Sequence, residues 1–410
     1  MGVRAVQAIP SILWLFIAWF IIVGMLYPFK NRLKLVKIYY GLAILVRGEN
    51  VHQAIEPFAK LLSKVPEWVL EVLIIGVFLS SMVYLVPAPL QIVGVPGFSF
   101  PSFFRILGNN VYALLTVKTS SPTSLVTHKF VPLAPLIPGV TIDLYTFMYV
   151  LIAIGIGILV HEFSHGALAI RFKSRVKSGG AFLSLFLLYG GFVELDEKEM
   201  KEKLSLPQLL TVYGGGVFAN LLLAYLAVGL LLIANLPGLI NYIGGVVIAG
   251  VIKGYPAYQA GIVNGSVLLY ANGTAVQSTY SLLYLLEGAK PGEHLILTTL
   301  SNGVISNHLI TLASDPNAPG FPFIGVMVQN REFYNFLYWF WTLNVTLVLL
   351  NSMPAFPLDG GQFIYSLLAR FAGERRAMLV TEVLSIVVWG LIILTIYISI
   401  STGLWQLVAP

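Results

Sequence analysis

The sequence contains no cysteine, and charged residues fill only 10% of its 410 positions. The first absence excludes disulfides, thiolate metal ligands and thiol catalysis together. It does not identify a redox compartment, because a chain without cysteine fits either side of a membrane. The second excludes an ordinary soluble domain, in which about 25% of residues are charged. Hydrophobic residues reach 57%, the composition of a polytopic α-helical membrane protein. Histidine is scarce as well, with six residues at 52, 128, 161, 165, 294 and 308. A bound transition metal must therefore be held by some of these together with Asp or Glu. The net charge of +6, from 24 basic and 18 acidic residues, comes from basic residues clustered between apolar runs. That clustering bears on membrane orientation and does not form the basic surface of a nucleic-acid binder.

A membrane span needs about 20 mostly apolar residues. Six candidates are present, at 11–28, 69–87, 144–170, 208–236, 333–354 and 378–402. The first exceeds the usual apolar core of a signal peptide and lacks a following small-x-small cleavage site, so it reads as a retained anchor. Position 6 is Val, not Ser or Thr, which argues against N-myristoylation. Basic residues follow the first span (Lys30, Arg32, Lys34, Lys37, Arg47, Lys60, Lys64), the third (Arg171, Lys173, Arg175, Lys177) and the fifth (Arg370, Arg375, Arg376). If each candidate crosses once, all three groups lie on the cytoplasmic side. The N-terminus, 88–143, 240–330 and the C-terminus then face the extracytoplasmic side.

The third span contains His161-Glu162-Phe163-Ser164-His165. On a helix, residues i and i+4 share a face. Both imidazoles can then hold one ion, usually zinc, while the Glu between them serves as general base toward water. Ionisable groups within a span are costly and default to function. Leu144 lies 17 residues before His161, roughly 25 Å of helix, whereas Arg171 lies only about 9 Å beyond His165. The motif is therefore nearer the cytoplasmic surface than mid-bilayer.

A catalytic zinc usually takes three protein ligands and keeps one position open. The best third candidate is Asp359, in Asn351-Ser-Met-Pro-Ala-Phe-Pro-Leu-Asp-Gly-Gly361. Two prolines and two glycines interrupt helical hydrogen bonding there, which is tolerated at membrane depth only in a protein-lined or wet cavity. Two readings of Asp359 stand, a helix N-cap before Gln362 and a metal ligand, and the matching depth of the His pair favours the second. Asn220, in Gly214-Gly-Gly-Val-Phe-Ala-Asn220, and Asn351 each have two readings as well: contact with a substrate carbonyl or oxyanion, or an interhelical hydrogen bond. Asn344 reads as structural.

Between the third and fourth spans, Ser178-Gly-Gly180 and Gly190-Gly191 bracket an apolar run too short to cross. It reads either as a re-entrant strand or hairpin near the metal, ending at Glu194-Leu-Asp196, or as an amphipathic surface piece. Segment 240–330 alternates short β-branched runs with Asn264-Gly265, Asn272-Gly273, Pro291-Gly292 and Asn302-Gly303, the pattern of a small β-rich domain. Asn264-Gly-Ser266 and Asn272-Gly-Thr274 also match the glycosylation acceptor pattern, with the turn reading preferred. The Pro- and Ser-rich stretches of 88–143 suggest loops outside the membrane, one of them a lid.

His-Glu-x-x-His on one span with Asn-x-x-Pro-x-x-Pro-Leu-Asp-Gly on a later one resembles the site-2 protease family of intramembrane zinc metalloproteases. The resemblance covers about 144–236 and 333–372 and implies one zinc per chain, held by His161, His165 and Asp359, with Glu162 as catalytic base. It implies cleavage within a transmembrane helix of another protein, usually trimmed beforehand by an earlier protease. Val217 departs from the family, which commonly has Pro there. Pro256-Ala-Tyr-Gln-Ala-Gly-Ile262 with Gly265 and Asn272-Gly273 resembles a PDZ domain, which binds extended chain ends by strand addition. Relatives in prokaryotic cell membranes often carry one at this place.

The expected organisation is 1–143 (N-terminal spans and an extracytoplasmic loop), 144–239 (protease core with the His motif), 240–330 (PDZ-like domain) and 331–410 (core with the Asp motif and last span). The partners expected are a transmembrane substrate and the lipid bilayer, with no nucleic acid. The competing reading is a membrane metal transporter or zinc sensor. Glu162 argues against it, since transport needs no base there. A PDZ-based membrane scaffold would leave the His motif unexplained.

Overall fold

The computed structural model describes residues 16–29, 35–39, 41–48, 50–83, 100–116, 130, 132–133, 136–138, 141–184, 188–234, 244–316 and 318–404. In chain order, the first elements are helix α1 (Phe16–Phe29), strands β1 (Val36–Tyr39) and β2 (Ala43–Gly48), and helices α2 (Val51–Leu62), α3 (Glu67–Val83), α4 (Phe100–Thr116) and α5 (Leu144–Arg171). Strands β3 (Val176–Ser184) and β4 (Leu188–Leu195) and helices α6 (Glu197–Lys203) and α7 (Leu206–Ala234) follow. A β-rich insert then holds β5 (Val246–Val251), α8 (Pro256–Gln259), β6 (Val267–Ala271), β7 (Thr274–Ala275), α9 (Thr279–Glu287), β8 (His294–Ser301), β9 (Val304–Thr311), β10 (Ala313–Ser314), β11 (Pro322–Phe323) and β12 (Val326–Asn330). The chain ends with α10 (Glu332–Asn351), α11 (Asp359–Ala372) and α12 (Glu374–Ser401).

These elements form two compact units: the described residues of 1–85, 98–223 and 343–410, and those of 224–342. Among the described residues, four helices are long and apolar enough to cross a membrane: 146–171 within α5, α7, α10 and α12. The sequence suggests six. The other two candidates include α1 and α3, which are shorter, and residues 11–15 and 84–87 of those candidates lie outside the described residues. α3 forms with α2 a pair bent by 104°. Pro66 lies at the bend, where it cannot continue α2, while its carbonyl accepts from Val69 and Leu70 to start α3. Within segment 88–143, whose Pro- and Ser-rich stretches suggest loops, α4 forms and buries Leu107 and Ala113. Ala113 packs with Phe130 and Leu404. The rest of the expected lid lies largely outside the described residues.

In the first unit β1, β2, β3 and β4 pair in that order, all antiparallel. The run between the glycine pairs is thus a hairpin, with residues 185–187 outside the described set. The glycines permit the pairing: a Cβ at Gly180 would strike the Val46 carbonyl, and one at Gly190 the Phe182 ring. Glu194 links three strands, accepting from Arg47 at 2.5 Å and from Ser178 Oγ at 2.6 Å.

The insert forms a sheet of order β12-β5-β6-β8-β9, with β7 paired to β6. Asn272-Gly273 and Asn302-Gly303 take positive φ throughout, as two-residue primed turns require. Val246, Ile248, Leu268, Leu297 and Ile324 are among the residues of its own core. The expected boundary at 239/240 lies outside the described residues.

Candidate metal centre

The His motif lies in the C-terminal half of α5, where i, i+4 spacing aims both imidazoles at α7 and α11. His161 and His165 are 6% and 7% exposed. Gly216 of α7 allows this approach: a methyl group there would meet Nε2 of both rings. Gly215 is similarly close to Leu168 and Ser164, and its carbonyl accepts from Ser164 Oγ at 2.9 Å.

Asp359 opens α11. The segment before it folds closely over the helix start, so a Cβ at Gly360 would meet the Met353 carbonyl and one at Gly361 the backbone of Ala355. α12 holds this segment from behind: Ser385 Oγ accepts from Phe356 N at 2.8 Å, and Trp389 Nε1 donates to Phe356 O at 2.8 Å. On the other side Ser81 of α3 hydrogen-bonds Ser352 at 2.7 Å, and Phe78 stacks on Phe363 with centroids 4.2 Å apart. The N-cap position belongs to Leu358. No side chain caps that helix start, which removes the capping reading, and among the described residues the buried Asp359 Oδ2 has no hydrogen-bond partner.

That oxygen lies 3.0 Å from His161 Nε2 and 3.3 Å from His165 Nε2, and the two nitrogens are 3.1 Å apart. The outer nitrogens decide the protonation. His161 Nδ1 donates to Asn220 Oδ1 at 2.6 Å, and His165 Nδ1 to the Val212 carbonyl at 2.6 Å. Asn220 is oriented by its own donors, since Nδ2 gives hydrogen bonds to Gly157 O and Asn344 Oδ1, each at 2.9 Å. With each neutral ring's proton on Nδ1, both Nε2 atoms present lone pairs. Two lone pairs and a carboxylate oxygen converge on one point, an arrangement that a cation at the centre stabilises. Ligands on a tetrahedron with bonds near 2.0–2.1 Å stand about 3.3 Å apart, so the three atoms fit a metal ion. Among the described residues these three form a group able to hold one.

Glu162 lies between the two His on α5, and its Oε2 accepts from Val193 N at 2.8 Å. Val193 stands opposite Gly179, with β3 its strand neighbour, and its N–H is turned away from that strand. Among the described residues no strand pairs with the other edge of β4, which runs beside the motif, and a Cβ at Gly191 would lie 3.6 Å from Ile158 and 4.0 Å from Glu162 Cγ. Asn220 is fully buried, with its amide groups committed to His161, Gly157 and Asn344. Asn351 is half-buried at the end of α10. The sequence reads Asn344 as structural and gives no sign of Val193. Asn344 shows only as one amide in an apolar run, and Val193 acts through its backbone, which leaves no side-chain signal.

Comparison with known proteins bears on the whole arrangement. The model of Peptidase family M50 matches residues 149–395, from the His motif through the Asp motif. An uncharacterised protein of Methanocaldococcus jannaschii is 28% identical over 255 residues, covering 61% of this chain and 62% of that protein. The match thus spans about three fifths of that relative's length. Among solved structures, the PDZ domain of the SdrC-like protein of Listeria monocytogenes is 21% identical and covers 21% of this chain and 87% of that one, with a TM-score of 0.19. The PDZ domain of the SdrC-like protein of Listeria innocua is 22% identical, covering 22% and 98%, with a TM-score of 0.19. With the family model spanning well over half of the sequence and both motifs inside it, the chain belongs to Peptidase family M50.

Proposed function

We propose that this protein is a zinc-dependent intramembrane endopeptidase that cuts transmembrane segments of other membrane proteins. The observation that carries the reading is the convergence of His161 Nε2, His165 Nε2 and Asp359 Oδ2 within 3.0–3.3 Å, beside a carboxylate, in a bundle of apolar helices. His161, His165 and Asp359 would hold one zinc, which supplies an acidified water and polarises the scissile carbonyl. Glu162 takes the proton of the attacking water and passes it to the leaving amine. Asn220 fixes the ring of His161, and Asn351, at the end of α10, is the amide left to contact substrate.

A peptide bond inside a transmembrane helix is shielded by its own hydrogen bonds, so the substrate must unwind locally. The free edge of β4 offers the unwound stretch backbone partners. Pairing there takes over the Val193 N–H and frees Glu162 for its work as base. Over the sheet, an apolar cavity of about 770 Å³, lined by Ile44 of β2, Ala181 of β3, Tyr189 of β4 and Met148 and Leu151 of α5 among others, suits substrate side chains.

In this reading α1 and α3 complete six spans. The insert is a PDZ-like extracytoplasmic domain that recognises the end of a substrate trimmed by an earlier protease, and the zinc lies nearer the cytoplasmic side of a prokaryotic cell membrane. The test uses purified full-length protein and a transmembrane reporter, with cut sites mapped by mass spectrometry. Cleavage should stop with a zinc chelator and in Glu162→Ala, which should retain zinc, while Asp359→Ala should lose both zinc and cleavage. Unchanged zinc content in Asp359→Ala would refute the ligand set, and chelator-resistant cleavage would refute the metal chemistry.

A further inference from the structure

α2 carries three longitudinal faces. At 3.6 residues per turn, Val51, Ile55, Ala59 and Leu62 share one sector. Ile55 and Ala59 are buried there against Ala167, with Phe163, Ile170 and Val193 packed around them. Ala54, Phe58 and Leu61 form the neighbouring sector, which continues to Val65. Phe58 and Leu61 are 53% and 61% exposed. His52, Gln53, Glu56, Lys60, Ser63 and Lys64 fill the sector opposite that apolar one, and all are exposed. One flank of the helix is thus fixed to protein, and the rest is divided between an exposed apolar side and an exposed polar side. A helix in water has no use for the apolar side, and a helix spanning lipid could not keep the polar one.

The bend supplies the direction. α2 meets α3 at 104°, and α3 is uncharged after its first turns, from Val72 to Val83. If α3 runs across the bilayer, α2 lies close to its plane. Trp68, exposed in the first turn of α3, is the kind of residue that anchors such a junction at the headgroup level. Lys60 is paired with Glu56 at 3.0 Å, so apolar burial and not charge selects the location.

We propose that α2 is an interfacial helix. It lies in the headgroup–acyl boundary of the leaflet nearer the metal ligands, with Ala54, Phe58 and Leu61 toward the acyl chains and Gln53 and Lys64 toward water. Because its buried face grips α5 at Phe163–Ile170, it also sets the depth of the site. Ala167 is five residues from Glu162, which puts the base about 7–8 Å along the helix from the plane of α2. The inference rests on the membrane location assigned above and is independent of the proteolytic chemistry.

The chain has no cysteine, so single cysteines can be introduced without background. Gln53→Cys, Ala54→Cys, Phe58→Cys, Leu61→Cys and Lys64→Cys, each carrying a nitroxide, are reconstituted as full chain in phosphatidylcholine vesicles. Collisions with oxygen, which partitions into lipid, and with a water-soluble nickel chelate are read by EPR. The expected result is an oxygen-to-nickel ratio several-fold higher at 54, 58 and 61 than at 53 and 64. Nickel access at all five would make α2 a helix in water, and oxygen access at all five a span. Protection of 58 and 61 from both reagents would give the face to a protein partner. Each of these three overturns the proposal. The same pattern is expected in a Glu162→Ala background, so failure of the protease reading leaves the outcome distinguishable.

Discussion

At the scale of single residues, the arrangement depends on groups outside the three that converge. Asn220 uses its oxygen to hold the proton of His161 Nδ1 and its two donors to hold itself. Partners of this kind fix the tautomer and orientation of a ligating imidazole, and their loss typically costs 10–100-fold in metal affinity or activity. Asn220→Ala should therefore weaken zinc binding by about that factor in a chelator competition, with the helices still formed. Gly216→Ala should be harsher, because the added methyl falls on both imidazoles. Elemental analysis should find that variant largely without zinc, and full occupancy would mean that α7 can move aside. Much at this scale was legible in advance. His161 and His165 declare themselves by spacing alone, and Asp359 by the prolines and glycines around it. The geometry of Asn220 was not, because an amide in a span reads equally as substrate contact or helix glue until its three partners are in view.

At the scale of elements, legibility follows locality. The hairpin turns of the insert are encoded in adjacent residues, Asn272-Gly273 and Asn302-Gly303, whose positive φ any reader of turn chemistry anticipates. β1 and β2 are the opposite case. They lie in a stretch whose lysines and arginines speak only to membrane orientation, and β2 pairs with β3, more than 130 residues further on. No periodicity within 36–48 reveals a partner that far away. α4 was hidden differently, among Pro- and Ser-rich neighbours whose composition suggested loops. The local logic also yields a prediction for α9. Ser278 and Ser281 form a reciprocal capping box at its start. Ser278→Ala should cost about 1 kcal/mol, a shift of roughly 4–8 °C in the melting of a domain this size. Differential scanning calorimetry of the full chain can resolve it, and an unchanged transition would mean that Ser281 alone suffices.

At the scale of the molecule, the ligands are distributed so that a bound ion links parts of the chain that are distant in sequence. His161 and His165 come from α5 and Asp359 from α11, with the whole insert between them in the sequence, yet all three belong to the first unit. The insert has a separate apolar core, built from Val246, Ile248, Leu268, Leu297 and Ile324 among others, and contributes none of these three residues. Binding to the native state alone stabilises by mass action, about 4 kcal/mol when free ligand is a thousand times its dissociation constant. That stabilisation should fall entirely on the first unit. Two thermal transitions are therefore expected in detergent. Chelation should lower the one assigned to the helical unit by several degrees and leave the one assigned to the insert in place, and Asp359→Ala should reproduce the shift without chelator. Glu162→Ala should not, since Glu162 accepts from Val193 of β4 and stands outside the group of His161, His165 and Asp359. If both transitions moved together on chelation, the ion would be stabilising more than the unit that supplies its ligands, and the assignment of the centre to α5 and α11 alone would have to be abandoned.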